Sequence, residues 1–103
     1  MVDRLPFLKK MVDQRPDDPF PRYGVAMELK SRGDAAQARE AFEQLLEAFP
    51  AYVPSYLMYG NLLEEAGDAA AAADAYNRGM EAARAAGDDH ALGELEAARD
   101  ALT

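Results

Sequence analysis

Residues 33–76 read GDAAQAREAFEQLLEAFPAYVPSYLMYGNLLEEAGDAAAAADAY, opening on GDAAQAREAF (33–42) and closing on GDAAAAADAY (67–76). The two decapeptides stand 34 residues apart: Gly33-Asp34 recurs as Gly67-Asp68, Ala38 as Ala72, and Phe42 as Tyr76. Outside them the same step carries Pro16 to Pro50, Ala26 to Gly60 and Leu29 to Leu63. A period of this length is the signature of a helical repeat array, in which each unit buries its apolar face on its neighbours. Such arrays present extended surfaces, so the period points to binding and leaves the partner unnamed.

Working outward, stop and start signals divide the chain into six helices. Pro6, with Asp3 nearby as cap, opens a first helix on which Leu5, Leu8, Met11 and Val12 recur at helical spacing until Arg15-Pro16. Asp18 caps a second helix from Pro19 to about Arg32, where Gly33 takes a left-handed conformation. Asp34 caps a third that stops before Pro50. A fourth runs from about Val53 to Ala66. The fifth, from Ala69 to Ala86, is so rich in Ala that local propensity alone favours helix. Gly87 ends it, and Asp88 or Asp89 caps a sixth that reaches Leu102.

These segments resemble the tetratricopeptide repeat, a helix-turn-helix unit of about 34 residues. In a first repeat, 19–52, Arg22 stands at the leading aromatic position, Val25-Ala26 at the Leu-Gly pair and Leu29 at the Tyr. Ala38, Phe42 and Pro50 fall on the small, aromatic and proline positions. In a second, 53–86, the corresponding residues are Tyr56, Tyr59-Gly60, Leu63, Ala72 and Tyr76. Arg84 occupies the place of the closing proline there, with Gly87 available to end the helix. Residues 1–16 resemble the second half of a repeat, and 87–103 a capping helix. The resemblance implies one all-α domain, a right-handed solenoid of about six antiparallel helices.

Composition excludes several function classes. The 103 residues carry a net charge of −8, with three lysines and eight arginines that form no basic stripe, so the electrostatic footprint for nucleic acid or anionic lipid is missing. A cationic partner suits that charge better, although acidity also simply keeps a domain dissolved. No run approaches the roughly 18 apolar residues of a membrane span. Residues 1–10 show no leader pattern, so a cytoplasmic location is expected, and the Ala-rich, Arg-over-Lys usage suggests a bacterial source. The absence of cysteine removes disulfides and thiol chemistry together.

No catalytic constellation is expected, and no metal or cofactor. The single histidine, His90, lies beside Asp88 and Asp89, where a helix start collects carboxylates for capping and for the dipole. Ser31 and Ser55 have no base at recognisable spacing. Gly33 and Gly67 belong to turns, since neither is followed by the Lys and hydroxyl of a phosphate loop.

Val25, Ala26 and Leu29 share one face of the second helix, and Ala38, Phe42 and Leu45 one face of the third, so each stripe buries the other. A second stripe remains on the first helix of each pair. It comprises Phe20, Tyr23, Met27 and Lys30, then Leu57, Asn61 and Glu64 in the second repeat, and Leu95 in the closing helix. By resemblance these positions line a concave groove that takes an extended peptide or amphipathic helix. Of the lysine, arginine and asparagine clamp by which some tetratricopeptide domains hold chaperone C-termini, only Asn61 is present. An apolar peptide with a few basic side chains, received by Glu64 and Glu65, suits the groove better. The competing reading is a structural module, a homodimer joined through Leu5, Phe7, Leu8, Met11 and Val12, whose apolar stripe is wider than a covered helix requires.

Overall fold

A computed structural model describes residues 3–102; Met1 and Val2, where the expected opening half repeat begins, and Thr103, where the expected cap ends, lie outside them. The described chain is all-α, with six helices and no strand: α1 (Leu5–Gln14), α2 (Pro19–Ser31), α3 (Ala35–Ala48), α4 (Pro54–Glu65), α5 (Ala69–Ala86) and α6 (Asp89–Asp100). The described residues gather into two compact units, divided between Phe49 and Pro50.

Helix ends follow local chemistry. Asp3 accepts a hydrogen bond from the Leu5 N–H at 3.0 Å, one residue outside the formal cap Arg4. Asp18, Asp68 and Asp88 accept from the N–H groups of Phe20, Ala71 and Ala91 at 3.0, 3.1 and 3.0 Å. Each thus satisfies a donor that the first turn leaves unpaired. Asp34 departs from expectation: it holds the cap position of α3, yet its side chain makes no capping bond. α6 ends at Asp100, two residues before the expected Leu102, because Ala101 and Leu102 form only a terminal turn. Gly33, Gly67 and Gly87 take φ of +80°, +83° and +69° after α2, α4 and α5, where a Cβ would be strained.

In the first unit α2 packs against both α1 and α3. Ala26, Ala38, Phe42 and Leu45 are fully buried. Leu8 of α1 docks onto Gly24, where a Cβ would stand 3.0 Å from the Leu8 Cδ2. Arg32, at the end of α2, forms an ion pair with Asp3 and lies 3.5 Å from Glu28, tying the segment before α1 to the far end of α2. The Arg32 guanidinium, followed by the Leu5 N–H, holds the Asp3 carboxyl below the usual carboxylate range.

In the second unit α5 packs against α4 and α6. Its core holds Leu63, Ala72, Ala75, Tyr76, Ala83 and Leu95, each 1% exposed or less. Small residues set the spacing. Tyr76 lies over Gly60 of α4, while Tyr56 and Leu95 converge on Gly79 of α5.

Candidate interaction surfaces

On α2, Phe20 is 62% exposed, whereas Tyr23, Met27 and Lys30 are half-buried. Positions 20, 23, 27 and 30 follow the i, i+3, i+4 rule and therefore share a face, distinct from that of buried Ala26 and Leu29. Partial burial pushes the Tyr23 hydroxyl above its usual pKa, so it stays a neutral donor and acceptor at ordinary pH.

On α4, Leu57 and Asn61 are half-buried and Glu64 is exposed. Asn61 is anchored from within its own unit, because the Tyr76 hydroxyl donates to Asn61 Oδ1 at 2.7 Å. Its oxygen is thereby committed to the core, and a ligand would meet the NH2 side of the amide. Leu95 requires correction. It is 1% exposed and its methyls close over Gly79, so a glycine on the facing helix has drawn into the core a side chain expected to face a ligand.

Of the five residues proposed for self-association, Phe7 alone is exposed, at 66%. Leu5, Leu8, Met11 and Val12 are half-buried. Leu8 is spent on Gly24, and Val12 lines a cleft within the unit.

That cleft escaped the sequence reading. It has a volume of about 300 Å³ and lies among α1, α2 and α3. Lys9, Asp13, Arg22 and Gln44 supply its polar lining, and Val12, Val25 and Ala41 its apolar walls. Arg22 Nε is buried and, among the described residues, has no hydrogen-bond acceptor. The second unit has a cleft of about 520 Å³ that includes the positions 34 residues on, Tyr56 and Arg78. There the chemistry is closed on itself. The Tyr56 hydroxyl donates to the Pro50 carbonyl at 2.5 Å, and the Arg78 guanidinium sits 5.7 Å from the Tyr56 ring centre. The signal that could have located the first cleft was legible: an arginine stands where the repeat pattern wants an aromatic.

The side chains considered for catalysis are dispersed. His90 Nε2 lies 3.2 Å from Glu94, one turn along an exposed face, while Asp88 caps the helix. Ser55 is fully buried. Among the described residues no cluster of three His, Cys, Asp or Glu could hold a metal ion, and no helix is long and apolar enough to cross a membrane.

Comparison with known proteins agrees with this architecture. The tetratricopeptide repeat family matches residues 22–52 and 53–85. A TPR repeat-containing protein of Pseudomonas aeruginosa is 31% identical over 88 residues, covering 85% of this chain and 84% of that protein. The solution structure of a tetratricopeptide repeat domain protein from Salinibacter ruber superposes with a TM-score of 0.77 at 39% identity, over 82% of this chain and 85% of that one. A Bordetella parapertussis protein, at 24% identity, shares the fold with a TM-score of 0.83 over 99% of this chain and 89% of its own. Repeats of this kind form non-catalytic scaffolds that generally mediate contacts between proteins. With two repeats matched over more than half its length, the chain belongs to the tetratricopeptide repeat family.

Proposed function

We propose that this protein is a non-catalytic adaptor that captures a peptide or helix of another protein through the first helix of each repeat. The observation that carries the reading is the α2 face of Phe20, Tyr23, Met27 and Lys30: it bears the largest exposed side chain of the unit's central helix beside three half-buried ones. Aromatic and Met side chains at partial exposure supply contact area to a partner while already ordered by their own unit. Leu57, Asn61 and Glu64 form the corresponding patch on α4. Together they favour an apolar segment with a few basic side chains, in keeping with a net charge of −8.

The test is affinity capture from a lysate of the source organism with wild type and a Tyr23→Ser/Leu57→Ser variant shown by circular dichroism to remain helical. A protein held by the first and lost by the second supports the adaptor. Equal recovery by both overturns the assigned surface.

A second reading, self-association, is favoured by one observation: Phe7 is 66% exposed on α1, a helix with no fully buried residue. Any such interface would be centred on Phe7, because Leu8 and Val12 face their own unit. Equilibrium sedimentation decides it: a monomer at high micromolar concentration, unchanged by Phe7→Glu, excludes this reading.

A further inference from the structure

The cleft among α1, α2 and α3 is lined by Arg22, an arginine whose Nε the described residues leave without an acceptor. Arg22 occupies the position filled by Tyr56 one repeat later, and Gln44 the position filled by Arg78. In the second unit the guanidinium rests on an aromatic ring and lies 3.9 Å from the Asp74 carboxylate. In the first unit the arginine stands at the ring's position with Gln44 at the arginine's, and among the described residues its buried Nε has no acceptor. A buried guanidinium N–H without an acceptor is unfavourable, and charge-assisted bonds from the rest of that guanidinium to an anion in the cleft strengthen as water is excluded. Lys9 brings a second positive charge to the same cleft and Asp13 one negative charge, so the cleft carries a net charge of +1 within a chain of −8.

We infer that this cleft is a binding site for a single carboxylate, presented by a Glu or Asp side chain of a partner protein. Arg22 and Lys9 hold the carboxylate, while Val12, Val25 and Ala41 pack against the methylenes that carry it. Asp13 sets the selectivity: one negative charge neutralises the cleft, whereas a doubly charged phosphate leaves excess negative charge facing the Asp13 carboxylate. The site uses residues apart from the Phe20, Tyr23, Met27 and Lys30 face, so it stands whether or not that face docks a peptide.

The experiment is a nuclear magnetic resonance titration of the isotope-labelled full chain with the capped peptide Ac-Ala-Glu-Ala-NH2, its Gln counterpart, sodium propionate and sodium phosphate, at constant ionic strength. The Glu peptide is expected to shift the amides of α1, α2 and α3 around residues 9–13, 22–25 and 41–44 saturably. The Gln peptide and phosphate are expected to bind at least tenfold more weakly. Arg22→Gln is expected to abolish the response, and Lys9→Gln to weaken it severalfold, with the amide spectra of both variants showing retained folding. Should Arg22→Gln unfold the chain, Lys9→Gln together with the Glu-to-Gln contrast carries the test. Equal binding of the Glu and Gln peptides, shifts confined to other residues, or phosphate binding as tightly as the Glu peptide overturns the proposal. Propionate binding more tightly than the Glu peptide overturns its assignment to a protein side chain.

Discussion

Tyr76 occupies the space that a side chain at Gly60 would need: a Cβ built there stands 2.1 Å from the Tyr76 Cε1. The pair joins α4 to α5 at the point where the first repeat places Ala26 and Phe42, so a smaller Gly accompanies a ring that carries a hydroxyl. Gly60→Ala should therefore destabilise the chain by about 1–3 kcal/mol through overpacking, despite the ~1 kcal/mol that Ala ordinarily gains over Gly within a helix. Adding Tyr76→Leu should recover part of the loss. Urea denaturation of the two single variants and the double variant checks the coupling, and strict additivity would sink the assignment.

Gly79 and Gly93 are both helical, and their substitution should have opposite signs. A Cβ at Gly79 stands 2.5 Å from the Tyr56 Cβ, an atom anchored to the α4 backbone, and 3.0 Å from the Leu95 Cδ2. Relief requires the helices to part, so Gly79→Ala should lower stability by about 1–3 kcal/mol. A Cβ at Gly93 would meet nothing within 4 Å among the described residues beyond its own stretch of helix, and Gly93→Ala should raise stability by about 0.5–1 kcal/mol through reduced backbone entropy in the unfolded chain. A thermal midpoint that rises for Gly93→Ala and falls for Gly79→Ala meets the expectation.

The capping aspartates divide in the same way. Asp88 accepts the Ala91 N–H at 3.0 Å, so Asp88→Ala should cost about 1 kcal/mol. Asp34 makes no capping bond, and Asp34→Ala should change stability by less than about 0.5 kcal/mol. Paired urea titrations separate the two; equal losses would mean that Asp34 acts through the helix dipole rather than through a bond.

The helices were legible because their punctuation is chemical: proline enters α1, α2 and α4, positive-φ glycine follows α2, α4 and α5, and aspartate precedes α2, α3, α5 and α6. What periodicity could not supply is which neighbour claims each face. Leu95 shares its spacing with surface positions, yet Gly79 on the opposing helix leaves room for it and removes it from the surface. The absence of an Asp34 bond depends on side-chain rotation, to which the Gly-Asp repeat is blind. Arg22 was visible as a departure from the aromatic pattern, but only the structure shows that its Nε lacks an acceptor and that a cleft adjoins it. Of the residues that spacing singles out on α2 and α4, Phe20 and Glu64 are exposed while Tyr23, Met27, Lys30, Leu57 and Asn61 are half-buried, and the partner that would select among them leaves no trace in one sequence.

Tyr76 also gives stability a pH dependence. Its hydroxyl is pushed up to about 12, first by burial and then by the nearby carboxylates of Glu64 and Glu65, against 10.0 for a free tyrosine. The folded state therefore keeps its proton where the unfolded chain has released it. Stability is complete below pH 10, and this contribution is lost as pH rises towards 12, because the unfolded state binds fewer protons across that window. Burial shifts Tyr23 and Tyr56 in the same direction, so a variant lacking only Tyr76 keeps part of the slope. Tyr76→Phe should be less stable than wild type near pH 8, by about 1 kcal/mol for the lost bond to Asn61, and the gap should narrow between pH 9 and 11.5. Urea midpoints across that range decide the matter: parallel curves would mean that Tyr76 does not titrate differently in the folded chain, whereas converging curves place a proton-retaining hydroxyl at the α4–α5 contact.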